Sequence, residues 1–162
     1  MKKRLLIFAF HDVHKIIDFH VMNYLFKIKS HFNYLIFVSD HSLNKEQQIK
    51  INFFNKILDK KHGEKDFGSW KRGLKIVSKK AEYDEIFLLN DSVIGPTESF
   101  EDILKKMTKK NSDFWGITSA GRIDSFHIQS YFLCFKKNCF MSDVFINFFN
   151  SVNEKKNKGD MV

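Results

Sequence analysis

Glu85-Ile86-Phe87-Leu88-Leu89-Asn90-Asp91-Ser92 is apolar from Ile86 to Leu89 and then abruptly polar. A short apolar run without alternation reads as a strand buried on both faces, at home in the middle of a parallel sheet. Two further runs have the same form. Arg4–Phe10 ends in His11-Asp12, and Tyr34–Ser39 ends in Asp40. Between these two, Ile17, Val21, Tyr24, Leu25 and Ile28 recur at helical steps and make one apolar face. Ser42 is expected to cap a helix reaching about Phe54, with Ile49, Phe53 and Phe54 turned inward. A short strand follows near Ile57–Lys60. Asp66 then caps a helix whose Trp70, Leu74 and Val77 share a face. Beyond Asp91, Gly95-Pro96 is a turn, and Ser99 opens a helix carrying Phe100, Ile103, Leu104 and Met107. Phe114–Thr118 and His127–Phe135 read as the last strands, and Ser142 caps a final helix with Phe145, Phe148, Phe149 and Val152. Such alternation predicts an α/β fold, a mostly parallel doubly wound sheet with helices on both faces. Residues 1–153 are expected to form one domain, and the polar stretch 154–162 to fray.

Composition narrows the function classes. The 162 residues are 43% hydrophobic and 15% aromatic, with 19 Phe, which excludes disorder for the bulk of the chain. Two Cys are too few for a disulfide scaffold, and Cys134 and Cys139 are expected to be buried free thiols of a reducing compartment. No apolar run approaches the ~20 residues that span a bilayer. Met1-Lys2-Lys3-Arg4 precedes only six apolar residues and no small-residue cleavage site, so the start reads as a strand rather than a signal peptide. Net charge is +8, and Arg contributes only Arg4, Arg72 and Arg122 to the 27 basic residues. The lysine excess reads first as a solvated surface, and second as attraction to an anionic membrane face or a phosphorylated substrate. Nucleic acid is not an expected partner, because base readout favours the Arg fork and no nucleic-acid motif accompanies the charge.

In open sheets of this type ligands lie outside the carboxyl ends of the strands. Four successive strand ends here carry acids or His: His11-Asp12, Asp40, Asp66 and Asn90-Asp91. Each alone can be read as a strand-ending or helix-capping residue. Asp91 stands apart, since a carboxylate at the end of a central strand can hold a divalent ion that bridges two phosphates. The G-x-x-x-x-G-K-[ST] phosphate loop, the G-x-G-x-x-G dinucleotide loop and the G-x-S-x-G elbow are all missing from the sequence. His14 and His20 are expected to face solvent, and His31, His41 and His62 to lie in loops.

Four ordered blocks resemble the rhamnan-synthesis protein F family. They are Asp66-Phe67-Gly68-Ser69-Trp70-Lys71-Arg72-Gly73-Leu74; Tyr83-Asp84-Glu85 with Leu88-Leu89-Asn90-Asp91-Ser92 and Gly95-Pro96; Asp113–Thr118; and His127–Phe132. The likeness runs from about Leu5 to Phe149. It implies a GT-A-like (Rossmann-like) three-layer sandwich and a rhamnosyltransferase-like enzyme of bacterial surface polysaccharide synthesis. Such an enzyme works in the cytoplasm, at the inner face of the plasma membrane, on a nucleoside-diphosphate sugar and a saccharide or lipid-linked acceptor.

The resemblance also implies roles. His11 and Asp40 would hold base and ribose, and Asp66 and Lys71 the base and diphosphate. Asn90 and Asp91 stand where the family's relatives carry an acid pair, with Asn90 replacing one acid and Asp91 left as the candidate ligand for Mg or Mn. Gly68 would allow close backbone approach to the ligand. Trp115 would be either a platform for a sugar ring or buried core. His127, Gln129 and Tyr131 share one strand face and would be either an acceptor pocket or a buried polar network. His62-Gly63-Glu64-Lys65 departs from the family's Asn-x-Gly before Asp66. Family members also continue past the last helix, where related inverting enzymes keep their base, so Asp124 and His127 are the candidates for a base within this chain. Two functions are therefore expected: a sugar transferase, or a truncated, non-catalytic nucleotide-sugar-binding or assembly domain of the same pathway. A third, weaker reading is a structural α/β domain docked on membrane or partner.

Overall fold

In the computed structural model, residues 2–121 and 125–152 are described. Asp124, a candidate base, and the 154–162 tail lie outside them. The expected first strands form: β1 (Arg4–Phe10), β2 (Tyr34–Ser39), β3 (Lys56–Asp59) and β4 (Glu85–Asn90). The helices between them are α1 (Phe19–Ile28), α2 (Lys45–Lys50) and α3 (Lys65–Ile76). The second half holds α4 (Phe100–Thr108), β5 (Phe114–Gly116), β6 (Ser119–Ala120), β7 (His127–Ile128), β8 (Phe132–Lys136), α5 (Lys137–Phe140) and α6 (Asp143–Ser151).

Six strands make one sheet in the order β3-β2-β1-β4-β8-β5. The pairs β1–β2, β1–β4 and β2–β3 are parallel, while β8 runs antiparallel to both β4 and β5. Strands β1 and β4 are buried along almost their whole length because both of their faces are covered. On one face Val21, Leu25, Phe100 and Leu104 of α1 and α4 pack with Leu6, Phe8, Phe37 and Phe87. On the other, Trp70, Leu74, Phe145 and Phe149 of α3 and α6 pack with Leu5, Ile7, Val38 and Leu88. The result is a helix–sheet–helix sandwich. Phe87 anchors the first layer, edge-on to Phe32 at 5.1 Å, Trp115 at 5.8 Å and Phe132 at 5.9 Å.

Several local expectations are corrected. Asn44, not Ser42, caps α2, accepting from Gln47 N; the helix stops at Lys50, and Ile49 is 68% exposed. Phe54 turns into the core as expected, though beyond the helix, and Ile51 joins it. Asp66 does not cap α3; Glu64 holds the cap position and Asp66 sits in the first turn, where the helix dipole favours an acid. The run His127–Phe135 is not one strand. It pairs with β6 at its start, then leaves that ribbon and joins β4 and β5 as β8. Of the two thiols, Cys134 is buried and Cys139 only half-buried.

Helix α3 lies so close to β1 that a Cβ on Gly73 would come within 2.4 Å of Ile7 Cγ2. Gly73→Ala is expected to cost about 1–3 kcal/mol through overpacking, less the ~1 kcal/mol that Ala gains as a helix former. Urea midpoints measure it, and an unchanged midpoint would show that α3 can lift off β1 without penalty.

Candidate functional site

The chain runs outward from β1 to β2 and β3, then returns through α3 to place β4 on the other side of β1. The order therefore reverses between β1 and β4, and at such a reversal the loops part to leave a crevice beyond the strand ends. His11 and Asp91 meet there: the His11 backbone N–H donates to Asp91 Oδ2 at 3.0 Å. Asp12 Oδ1 accepts from the His14 and Ile16 N–H groups and shapes the loop, and Asp18 caps α1. A cavity of about 210 Å³ opens between them, lined by His11, Asp12, Asp18, His20, Asp91 and Ser92.

Asp66 reaches the same rim from α3. Asn90 Nδ2 donates to Asp66 Oδ2 at 2.7 Å, and Asn90 Oδ1 accepts from Ser92 N at 3.0 Å. Asn90 thus ties the Asp66 carboxylate to the end of β4 and holds the turn at Ser92. Burial pushes the Asp66 carboxyl up, against the Asn90 bond that favours its charge. Burial likewise lifts Asp91, to about 6, with the Asp66 charge adding to it and the His11 N–H opposing.

Asp40 closes the other side. It is buried, and its Oδ1 accepts from the His62 and Gly63 N–H groups at 2.5 and 2.9 Å. Its Oδ2 lies 3.8 Å from His11 Nδ1. Burial alone would raise this carboxyl, but the two N–H donors and the nearby imidazoles outweigh it and hold Asp40 below its ordinary value. His62 Nδ1 accepts from Glu64 N at 3.2 Å, so its proton sits on Nε2, 3.0 Å from Ser69 Oγ. The His41 ring lies 4.8 Å from that of His11, with its Nε2 buried and unpartnered among the described residues.

His11, Asp40, Asp66, Asn90 and Asp91 are thus brought to one rim. His41 and His62 join them, two residues that read as ordinary loop positions in the sequence. The β1–β2 pairing brings His41 beside His11, and the β2–β3 pairing brings the His62 loop alongside; a helpful signal was the placement of each just past a strand end. The remaining candidates lie elsewhere. Gly68 is inside α3, and the space its side chain would take is filled by Glu64, whose Cβ would stand 2.0 Å away. Its lack of a side chain serves that packing rather than an opening to a ligand. Lys71 Nζ donates to the Val152 carbonyl beyond α6.

Trp115 is 5% exposed and packed edge-on to Phe87 and tilted against Phe132, so it is core with an edge on a cleft, not an open platform. That cleft, about 450 Å³, is lined by Tyr24, Ile94, Pro96, Met107, Trp115 and Tyr131. Gln129 and Tyr131 meet on Thr118 Oγ1, at 2.7 and 2.8 Å. His127 is exposed and turns its Nδ1 to the Ser125 carbonyl at 3.1 Å, so the three do not converge.

Among the described residues, no group of three or more His, Cys, Asp or Glu side chains could hold a metal. Asp66 and Asp91 nevertheless fit a cation that keeps most of its shell, since Mg is commonly held by one or two carboxylates with water and phosphate completing its octahedron. The raised carboxyls are what a cation would relieve. Among the described residues no helix is long and apolar enough to cross a membrane.

Burial holds His62 and His41 below the ordinary histidine value of 6.5. The unfolded chain takes up protons at these positions first as pH falls through 6.5, so the share of stability that depends on these two residues is expected to drop on acidification from neutrality, against the opposite contribution of Asp91. His62→Gln is expected to flatten that drop. Urea midpoints across this range measure it, and an identical slope in the variant would count against a neutral His62.

The model of a family described as rhamnan synthesis protein F matches residues 35–162. No curated protein and no solved structure matches the chain.

Proposed function

The chain belongs to the rhamnan synthesis protein F family, and from that membership we propose that it is a rhamnosyltransferase-like sugar transferase of surface polysaccharide synthesis. The observation that carries the reading is the crevice where the strand order reverses, with Asp91 and Asp66 on one wall and His11 on the other. A nucleoside-diphosphate sugar is the substrate class that suits it, the diphosphate lying along the ends of β1 and β4. The Asp40 clamp on the His62–Gly63 loop holds the neighbouring wall, where base and ribose would rest. We further propose that the sandwich is of the GT-A-like kind and that the reaction takes place in the cytoplasm, at the inner membrane face.

In the reaction an acceptor hydroxyl attacks the anomeric carbon, the bond from that carbon to the diphosphate breaks, and a base takes the hydroxyl proton. A divalent cation, Mg or Mn, held by Asp91 and Asp66, would supply positive charge against the departing diphosphate. This chain's own contribution is the His11 imidazole beside the donor and the carboxylates that would hold the cation. The Tyr131-lined cleft is the place for a saccharide or lipid-linked acceptor. Of its lining, Tyr131 is tied to Thr118, which also holds Gln129, and Glu98 pairs with Lys106 at 2.9 Å. That observation favours a second reading, a donor-binding domain without turnover.

Nucleotide release from UDP-, dTDP- and GDP-sugars, with and without a saccharide acceptor, separates the two. Acceptor-dependent release supports the transferase, with Asp124 and His127 the positions to substitute, since loss of a base costs about 10²–10⁴ in rate. Donor binding without release supports the second reading, and no binding at all contradicts both.

A further inference from the structure

A second cavity, about 500 Å³, lies along the outer edge of the sheet between β3 and α3. Lys60, Lys61, Arg72 and Lys75 surround it, over a floor that includes Val38, Leu58 and Ile76. Asp59 is the acid of this lining, and its Oδ2 is already taken by Leu43 N at 3.2 Å and Gln48 Nε2 at 3.1 Å. Glu64 draws one Arg72 nitrogen to 3.3 Å, yet Arg72 Nε is buried with no hydrogen-bond partner among the described residues. Lys60, Lys61 and Lys75 make no ion pair among the described residues, whereas Lys2, Lys3, Lys79, Lys105 and Lys106 all do. Uncompensated cations in a recess focus positive potential into it, and a buried guanidinium N–H without an acceptor is costly unless a ligand supplies one.

The groove adjoins the crevice at His62, which lines the groove and whose backbone N–H is held by Asp40, but its lysines and Arg72 are not among the residues lining the cavity at His11 and Asp91. Strand β3 is two places from β1 in the sheet, roughly 10 Å away at the usual strand spacing. An apolar floor beneath a cationic rim selects a ligand with both characters. We propose that this groove is a second binding site, for a phosphate ester whose anionic group meets Lys60, Lys61, Lys75 and Arg72 while its apolar part lies on Val38 and Leu58. A soluble phosphate compound and a membrane lipid headgroup both offer that chemistry.

The test uses the whole chain and two probes, inorganic pyrophosphate in solution and phosphatidylcholine vesicles with or without phosphatidylglycerol. A triple variant, Lys60→Gln with Lys61→Gln and Lys75→Gln, changes only exposed side chains. A charge-matched control changes Lys45, Lys109 and Lys110, exposed lysines elsewhere on the surface, to Gln. If the ligand is soluble, pyrophosphate binding falls about tenfold or more in the first variant. If it is a lipid, binding to the anionic vesicles falls on the order of a hundredfold. In either case the control and Asp91→Ala leave binding unchanged, the latter separating this groove from the donor crevice. Binding of neither probe, or equal losses in both triple variants, would overturn the site. A loss in Asp91→Ala alone would move the anion to the crevice.

Discussion

Trp70→Ala is expected to destabilise the chain by about 3–5 kcal/mol, close to the whole stability of many domains of this size. Trp70 is fully buried in the layer beneath α3 and packs edge-on against Phe67 at 5.0 Å. Its indole Nε1–H donates to the Leu89 carbonyl at 3.0 Å, two residues before Asp91. Truncation therefore opens a large cavity and strips a hydrogen bond from the end of β4. Trp70→Phe fills much of the space and loses that bond, for about 1 kcal/mol. Chemical denaturation of the two variants gives both numbers. A Phe variant as damaged as the Ala variant would shift the main role of Trp70 from packing to the hydrogen bond.

Asp91→Asn is expected to act in opposite senses on stability and on binding. The carboxyl is pushed up to about 6, from an ordinary 3.8. A raised carboxyl favours the folded state while it is protonated. As pH rises from 3.8 through 6, the folded chain must ionise a desolvated group, and stability is lost. At neutral pH the whole penalty is present, roughly 1–3 kcal/mol after allowing for partial solvation. Asn keeps an oxygen for the His11 N–H and removes the charge. The variant is therefore expected to be more stable than wild type at pH 7 and equally stable near pH 4, while losing donor binding. Denaturation at the two pH values measures it. A variant less stable at pH 7 would show that the Asp91 charge is satisfied in the free protein, and that it is not held ready for a cation or donor.

The sheet was legible in the sequence because burial on both faces leaves uninterrupted apolar runs, as in Leu5–Phe10 and Ile86–Leu89. The rim was legible for the same reason reversed: polarity returns at once at His11, Asp40 and Asn90. What failed was local. Ile49 follows the helical period of its segment, but α2 has barely two turns and the chain reaches the core only after it, through Ile51 and Phe54. The alternation over His127–Phe135 is real, yet nothing in it says that the strand exchanges β6 for β4 and β5 midway. Gly68 illustrates a different limit. Its motif suggested ligand approach, while the contact that requires glycine is with Glu64, four residues back in the same helix. His41 and His62 read only as loop residues because they are separated by an entire strand-and-turn unit and converge only through the pairing of β2 with β3.

The crevice between β1 and β4 is the proposed seat of a nucleotide-sugar. The direct measurement is a thermal-shift titration of wild type and Asp91→Asn with UDP-, dTDP- and GDP-sugars, with and without Mg or Mn. At a hundredfold excess over its dissociation constant, the correct donor should stabilise wild type by ~2.7 kcal/mol. That gain should be greater with the cation present, and largely absent in Asp91→Asn. Equal stabilisation of both proteins would place the ligand outside the crevice, and no stabilisation by any of the three donor classes would contradict the claim itself.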